Sequence, residues 1–303
     1  MSDERRYLVI GAQGFQGAAV ARALLAGGHE VRGFAKAGGT PAPGAPEVPT
    51  VTGDLADPAV VRAAFEGITH ASVVLPLVYD AEQVVTFARN VAEAAKAAGV
   101  TRLVYNTNTP VPAETTPYAA YETRRAAEAV FTGAGLPLVV LRPPVYLDNL
   151  FSPWNGPALI NDGVLAYPLA EDRRVAWLSH ADLAAATVAA LHRPGIEGTV
   201  LALGGPEAVT GSELATAFGA ALGREVSYLP LEVGAFEAGL REVVGADAAA
   251  GVSGIYKWAA QSSDPELFTV DHDEVTRVLG ITPTPITEWV AAQHWEVWAG
   301  QPA

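Results

Sequence analysis

Tyr7-Leu8-Val9-Ile10-Gly11-Ala12-Gln13-Gly14-Phe15-Gln16-Gly17 opens the chain with a short apolar run and three glycines spaced three apart. Ala18-Ala19-Val20-Ala21-Arg22-Ala23-Leu24-Leu25-Ala26 follows at once, rich in residues of high helix propensity. The stretch predicts a buried strand, a tight turn and a helix. Glycine suits such a turn because it takes unusual dihedrals, lets a backbone approach a diphosphate closely, and lets the helix pack on the strand. The helix start then offers unpaired N–H groups and a positive dipole end to phosphate.

Three glycines alone are a weak signal, because any tight strand-to-helix turn can show them. His29-Glu30-Val31-Arg32-Gly33-Phe34-Ala35 strengthens it, supplying a second strand where a βαβ unit requires one. The motif is therefore read as a dinucleotide-binding turn. Further strands are expected at Val48–Leu55, Ala71–Pro76, Arg102–Thr107 and Leu138–Arg142, separated by a helix starting at Asp57-Pro58 and helices at about 81–98 and 117–131. Nearly every strand is apolar throughout, as in a parallel sheet covered on both faces. The fold class is α/β: a doubly wound Rossmann sheet with a smaller C-terminal α/β substrate lobe. Residues 1–145 are expected to form the dinucleotide-binding domain, completed by about 179–205, and 146–178 with 206–303 the substrate lobe. In the second half, Thr210 and Glu213 read as a capping box, and Glu232 to Trp258 reads as helical.

Composition narrows the classes. Of 303 residues half are hydrophobic and 17% charged, as in a globular chain. Nineteen basic against 33 acidic residues give a net charge of −14, which repels nucleic acid and anionic membranes. There is no cysteine, so thiolate chemistry and Cys-ligated metals are excluded. The six histidines show no metal-ligand spacing, and no metal is expected. Met1-Ser2-Asp3-Glu4-Arg5-Arg6 leads directly into a strand, and no stretch reaches the ~18 uninterrupted apolar residues of a spanning helix. A cytoplasmic monomer or homodimer acting on a small molecule is expected, with neither nucleic acid nor membrane as partner.

With Arg142 reached, the chain resembles the NmrA-like family of atypical short-chain dehydrogenase/reductases. The Gly-x-x-Gly-x-x-Gly spacing at Gly11 to Gly17 carries the likeness, together with Gly28 to Arg32, Gly53-Asp54-Leu55-Ala56-Asp57-Pro58 and Ala94 to Val100. Gly135 to Pro143, Asp148-Asn149-Leu150, His180-Ala181-Asp182-Leu183-Ala184 and Leu203 to Glu207 keep the same order. That group includes quinone reductases, triphenylmethane-dye reductases, isoflavone-reductase-like enzymes and non-catalytic redox sensors. The resemblance implies cofactor contacts from Gly11, Gln13, Gly14, Phe15, Gln16 and Gly17. It implies adenine contacts from Asp54 and Leu55, and a ribose and nicotinamide path along Leu75, Pro76, Leu77, Asn106, Thr107, Pro143 and Tyr146. Tyr79, Asn108, Asn149, Phe151 and Trp154 are the expected substrate pocket.

Lys36 stands just past the second strand, where selection of NAD usually requires an acidic residue. A cation there suits a 2′-phosphate, so NADP(H) is expected over NAD(H). The usual Tyr-x-x-x-Lys pair is missing: its positions fall on Ala120 and Arg124. Tyr118 and Tyr121 are out of register by about 100–200° around the helix axis. Arg124 stays charged and can hold a ribose, but it is a poor proton donor. Arg124, Tyr121 and Tyr118 remain the catalytic candidates. Ser179, His180 and Asp182 are too close in sequence to form a triad, and Ser179 or Asp182 reads as a helix start. These features lead to NADPH-dependent hydride transfer to a conjugated acceptor, such as a quinone, enone, imine or dye, that needs no tyrosine acid. The alternative left open is a non-catalytic NADP(H) sensor acting through a protein partner.

Overall fold

The computed structural model describes residues 5–301; Met1 to Glu4, read above as part of the lead-in, lie outside the described residues, as do 302 and 303. Its strands are β1 (Arg6–Ile10), β2 (Glu30–Ala35), β3 (Thr50–Thr52), β4 (His70–Val74), β5 (Arg102–Asn106), β6 (Leu138–Arg142), β7 (Val164–Tyr167), β8 (Val200–Ala202) and β9 (Ser227–Pro230). The longer helices of the first half are α1 (Phe15–Ala26), α2 (Pro58–Phe65), α3 (Ala81–Ala98) and α4 (Ala119–Gly133). Then come α5 (Gly156–Asp162), α6 (His180–His192), α7 (Gly211–Leu222), α8 (Val233–Val244), α9 (Ala246–Gln261), α10 (His272–Leu279) and α11 (Ile286–Ala291).

Seven strands form one parallel sheet in the order β3-β2-β1-β4-β5-β6-β8. The order reverses between β1 and β4, opening a crevice at their C-terminal ends, the place where open α/β sheets bind ligands. Side chains alternate across the sheet as the period of two demands. Leu8 and Ile10 face Val61, Phe65, Val84, Phe87 and Phe131 of α2, α3 and α4. Tyr7 and Val9 face Val20, Leu24, Leu183, Ala190, Val275 and Leu279 of α1, α6 and α10. A third apolar cluster, around Leu165, Tyr167, Leu214, Phe218, Tyr256, Phe268 and Trp289, underlies the smaller parallel pair β7-β9.

Local chemistry sets the helix ends. Asp57 caps α2, accepting from Ala59 N at 2.9 Å, with Pro58 at the first helical position. Asp80 caps α3 through Gln83 N, and α3 ends at Gly99 in the left-handed conformation. The Thr210–Glu213 capping box is present on α7. Ser179 caps α6 through Asp182 N. The third strand is shorter than expected, because only Thr50 to Thr52 pair with β2 before Gly53 turns the chain. The expected helix from Glu232 to Trp258 is two helices. Gly245, at φ 84° and ψ 166°, ends α8 and starts α9 in a conformation reserved to glycine.

Candidate functional site

The glycine turn sits on the crevice at the end of β1. Gly11 takes φ +83°, and a Cβ on it would meet Val74 Cγ1 at 2.9 Å. A Cβ on Gly17 would stand 2.1 Å from the Gly11 carbonyl, so α1 reaches the strand only because that position is bare. Gly14, the N-cap of α1, offers no side chain to the first turn, and no acidic residue occupies that turn. Asp57, Asp80, Ser179, Thr210 and Asp271 cap other helices of this chain with their side chains. The start of α1 thus presents uncapped donors to the crevice, as a diphosphate requires.

A cavity of about 600 Å³ extends from this turn. At one end it is lined by Lys36, Gly39, Thr40, Asp54 and Leu55. Lys36 is exposed and, among the described residues, forms no ion pair. Its loop is fastened to the turn by Ala42 N donating to Gln13 O at 2.7 Å, and to α1 by Arg22 donating to Gly44 O at 2.8 Å. Arg32 faces away, donating to the carbonyls of Ala64 and Glu66 at the end of α2. Asp54 closes its own turn by accepting from Ala56 N at 2.8 Å while lining the cavity. Asn90 donates to Leu55 O at 2.8 Å and fixes the neighbouring backbone.

The middle of the cavity is lined by Leu75, Pro76, Leu77, Gln16 and Asn108. Gln16 is the hub: its Oε1 accepts from Asn106 Nδ2 at 2.7 Å and from the Tyr146 hydroxyl at 3.1 Å, and its Nε2 donates to Asn108 Oδ1. Asn108 holds φ +65°, alone among the described non-glycine residues in the left-handed region, and its N–H is tied to Asn106 Oδ1 at 2.7 Å. Burial pushes the Tyr146 phenol well up, so it stays neutral.

The far end is lined by Tyr79, Gln83, Phe87, Pro144, Val145, Asn149, Val252, Ile255 and Tyr256, with His180 beside Tyr146. Asp148 accepts from the His180 backbone N–H at 2.8 Å and stands 3.3 Å from its ring. Burial lowers the His180 pKa, opposed by Asp148. Phe15, 65% exposed, stacks on that ring 6.5 Å away.

Several expected site residues stand elsewhere. Thr107 is buried and bonded to the carbonyls of Thr109 and Leu141, and Asn106 reaches the cavity only through Gln16. Pro143 precedes the lining rather than joining it. Arg124 is a layer behind, donating to Val78 O at 3.0 Å and Pro76 O at 3.4 Å, with its Cζ 5.1 Å from the centre of the Tyr79 ring. It shapes the wall and does not touch the cavity. Tyr121 is fully buried with its hydroxyl on Ile255 O, and Tyr118 lines a neighbouring hollow with Asp80 and Asp247. Phe151 packs against Trp295 and Trp298, and Trp154 is 48% exposed. Those aromatics serve the third core cluster or the surface because the chain after Leu150 turns into α5, away from the crevice. The sequence reading missed Gln83, Phe87, His180, Val252, Ile255 and Tyr256. Nothing local marked the α9 residues, which reach the cavity only through the tertiary fold.

The NmrA-like family profile matches residues 3–289. The chain belongs to the NmrA-like family. This NmrA-like chain is 33% identical over 228 residues to an NAD(P)H azoreductase of Xenophilus azovorans, spanning 74% of this chain and 76% of the relative. It is 31% identical over 192 residues to quinone oxidoreductase 2 of Escherichia coli, 63% of this chain and 64% of that one. Among solved structures, Citrobacter sp. triphenylmethane reductase complexed with NADP(H) superposes with TM-score 0.74 at 20% identity, covering 94% of this chain and 98% of that one. The match shows that the two chains share a fold. Among the described residues no cluster of His, Asp and Glu is suited to a metal, and no helix is long and apolar enough to cross a membrane.

Proposed function

We propose that this protein is an NADPH-dependent reductase that passes hydride to a flat, conjugated acceptor such as a quinone or azo compound. One observation carries the reading: a single cavity joins an uncapped, glycine-cradled helix start and an exposed lysine to a wall of aromatic and aliphatic side chains. The azoreductase and quinone-reductase names of its relatives support the reaction class.

The residues present fit the coenzyme. The Gly11–Gly17 turn and the start of α1 would hold the diphosphate, Lys36 the 2′-phosphate, Asp54 and Leu55 the adenine edge, and Gln16, Asn108 and Tyr146 the nicotinamide end. When bound, the reduced nicotinamide supplies hydride. The chain's own work is to align the acceptor and exclude water, for which Tyr79, Val252, Ile255 and Tyr256 provide a largely apolar wall. No Tyr/Lys pair faces the cavity. An acceptor that delocalises the added electron pair suits such a site, and an isolated ketone does not.

NADPH oxidation followed with a panel of quinones and azo compounds tests the reading. Turnover of at least one conjugated acceptor, faster with NADPH than NADH, is expected. Tight NADPH binding with no turnover of any acceptor would overturn it in favour of a coenzyme sensor.

A further inference from the structure

A hydrogen-bonded pair of tyrosines stands behind the acceptor end of the cavity. Tyr256, on α9, and Asn149, in the loop after β6, both line the cavity, and Tyr167 at the end of β7 lies between them just outside it. The Tyr256 and Tyr167 hydroxyls are 2.6 Å apart, and Asn149 Nδ2 donates to the Tyr167 hydroxyl oxygen at 3.0 Å. The two rings meet edge to face at 5.5 Å. Trp177 packs on Tyr167 and Phe236 on Tyr256, so neither ring is free to swing. Three residues far apart in the fold's elements thus form one hydrogen-bonded corner at the acceptor end of the cavity.

We infer that Tyr256 is a catalytic residue that donates the proton to the reduced heteroatom of the acceptor, with Tyr167 and Asn149 as the positioning residues behind it. The inference rests on the reductase reading. Hydride arriving from the reduced nicotinamide coenzyme forms a bond to one atom of the acceptor and leaves an electron pair on its conjugated partner. For an azo compound those atoms are the two nitrogens. The Tyr256 O–H bond breaks as the heteroatom gains its proton, and the Tyr167 proton crosses the 2.6 Å gap to Tyr256. The negative charge then rests on Tyr167, where Asn149 Nδ2–H and Tyr256 O–H both donate to it. Water entering after product release restores the proton.

The direction of this relay follows from the surroundings. Burial raises both phenols, but a charge on the Tyr167 oxygen can accept from both Asn149 Nδ2 and the Tyr256 hydroxyl, whereas one on Tyr256 has only the Tyr167 hydroxyl beside it. Charge therefore settles on the inner tyrosine. The reluctance of both buried phenols to ionise sets the substrate class. A hydride adduct left as a nitrogen anion is basic enough to take a proton from a buried phenol, whereas a quinone adduct needs only the hydrogen bond.

Tyr256→Phe and Tyr167→Phe test this in two ways. Without coenzyme, calorimetry with 1,4-naphthoquinone and with naphthalene isolates the hydroxyl from the ring. Tyr256→Phe is expected to weaken the quinone about tenfold and leave naphthalene within about twofold. Equal losses for both, no loss for the quinone, or no quinone binding by the parent protein would overturn the assignment. With NADPH and an azo acceptor, Tyr256→Phe is expected to lower kcat about 100-fold and Tyr167→Phe about tenfold, with NADPH affinity held and the solvent isotope effect on kcat changed. An unchanged kcat and isotope effect in Tyr256→Phe would overturn it. A parent protein that binds the quinone in this selective way but reduces no acceptor would refute the reductase reading and the relay, leaving Tyr256 as a binding contact.

Discussion

Arg124 Nη1 lies 3.0 Å from the carbonyl of Val78, and its Cζ stands 5.1 Å from the centre of the Tyr79 ring. Arg124, one of the largest fully buried side chains among the described residues, therefore braces the loop between β4 and α3 from behind. That loop carries Leu75, Pro76, Leu77 and Tyr79 into the cavity wall. Gly251 of α9 completes the seat, since a Cβ there would fall 2.0 Å from the Tyr79 ring. A residue that reads from the sequence as a catalytic candidate here supports the wall.

Replacing Arg124 with Leu should leave the Val78 carbonyl without its donor and the Pro76 carbonyl with the Val78 N–H alone. A loss of about 2–4 kcal/mol is expected in urea unfolding, together with a raised KM for the acceptor as Tyr79 loosens. Arg124→Lys should recover only part of both, because an ammonium cannot span two carbonyls with a planar fork. Stability equal to the parent protein in Arg124→Leu would refute the bracing role.

Lys36→Ala should erase the preference for the phosphorylated coenzyme. A charged hydrogen bond to phosphate contributes about 1.5–3 kcal/mol, so the Kd for NADP+ should rise about 10- to 100-fold while that for NAD+ stays within about twofold. Paired titrations with both coenzymes check this, and parallel losses for the two would contradict it.

Gly17→Ala should be far more damaging than Gly14→Ala. The added Cβ would stand 2.1 Å from Gly11 O in the first case and 3.4 Å in the second. Only the first forces α1 off the sheet, so coenzyme binding should vanish for Gly17→Ala and weaken modestly for Gly14→Ala. Comparable affinities for the two variants would show that α1 does not need its close approach.

Acid should destabilise the fold through His180 and His192. Burial lowers both from the ordinary 6.5, His29 and Arg5 adding to the effect at His192. The unfolded chain then binds more protons than the folded one below that value, so stability falls as pH drops through it. His192 is part of a bottom-edge cluster in which its Nε2 meets the Tyr7 hydroxyl at 2.5 Å and its ring lies 5.1 Å from that of His29. Unfolding midpoints measured from about pH 8 to about pH 5 should decline less steeply in His192→Gln than in the parent. Identical slopes would rule out His192 as a contributor.

Much of the frame was legible because its signals are local. The bounds of α3 and β6, the Asp57 and Ser179 caps and the Thr210–Glu213 box depend on residues within a few positions of one another. So does the glycine turn. The break at Gly245 was hidden because helical residues run on both sides of a single glycine, and β9 because Ser227-Tyr228-Leu229-Pro230 is too short to show a period. In the site, the coenzyme end follows from β1, β2 and their turns, all early in the chain. The acceptor end depends on α9 folding back over Tyr79 and Tyr121, a long-range packing that puts Val252, Ile255 and Tyr256 into the cavity and removes Tyr121 from it. Trp154 and Phe151 follow the chain into α5, so Phe151 packs on Trp295 and Trp298 and Trp154 stays half exposed, outside the expected pocket.

The central claim is that the crevice at the end of β1 is a coenzyme site with a phosphate selector at Lys36. Titration calorimetry of the folded protein with NADPH tests it most directly. One-to-one binding at micromolar affinity, tighter than for NADH, is the expected result. No heat with NADPH at millimolar concentration, from protein whose circular dichroism shows it folded, would contradict it.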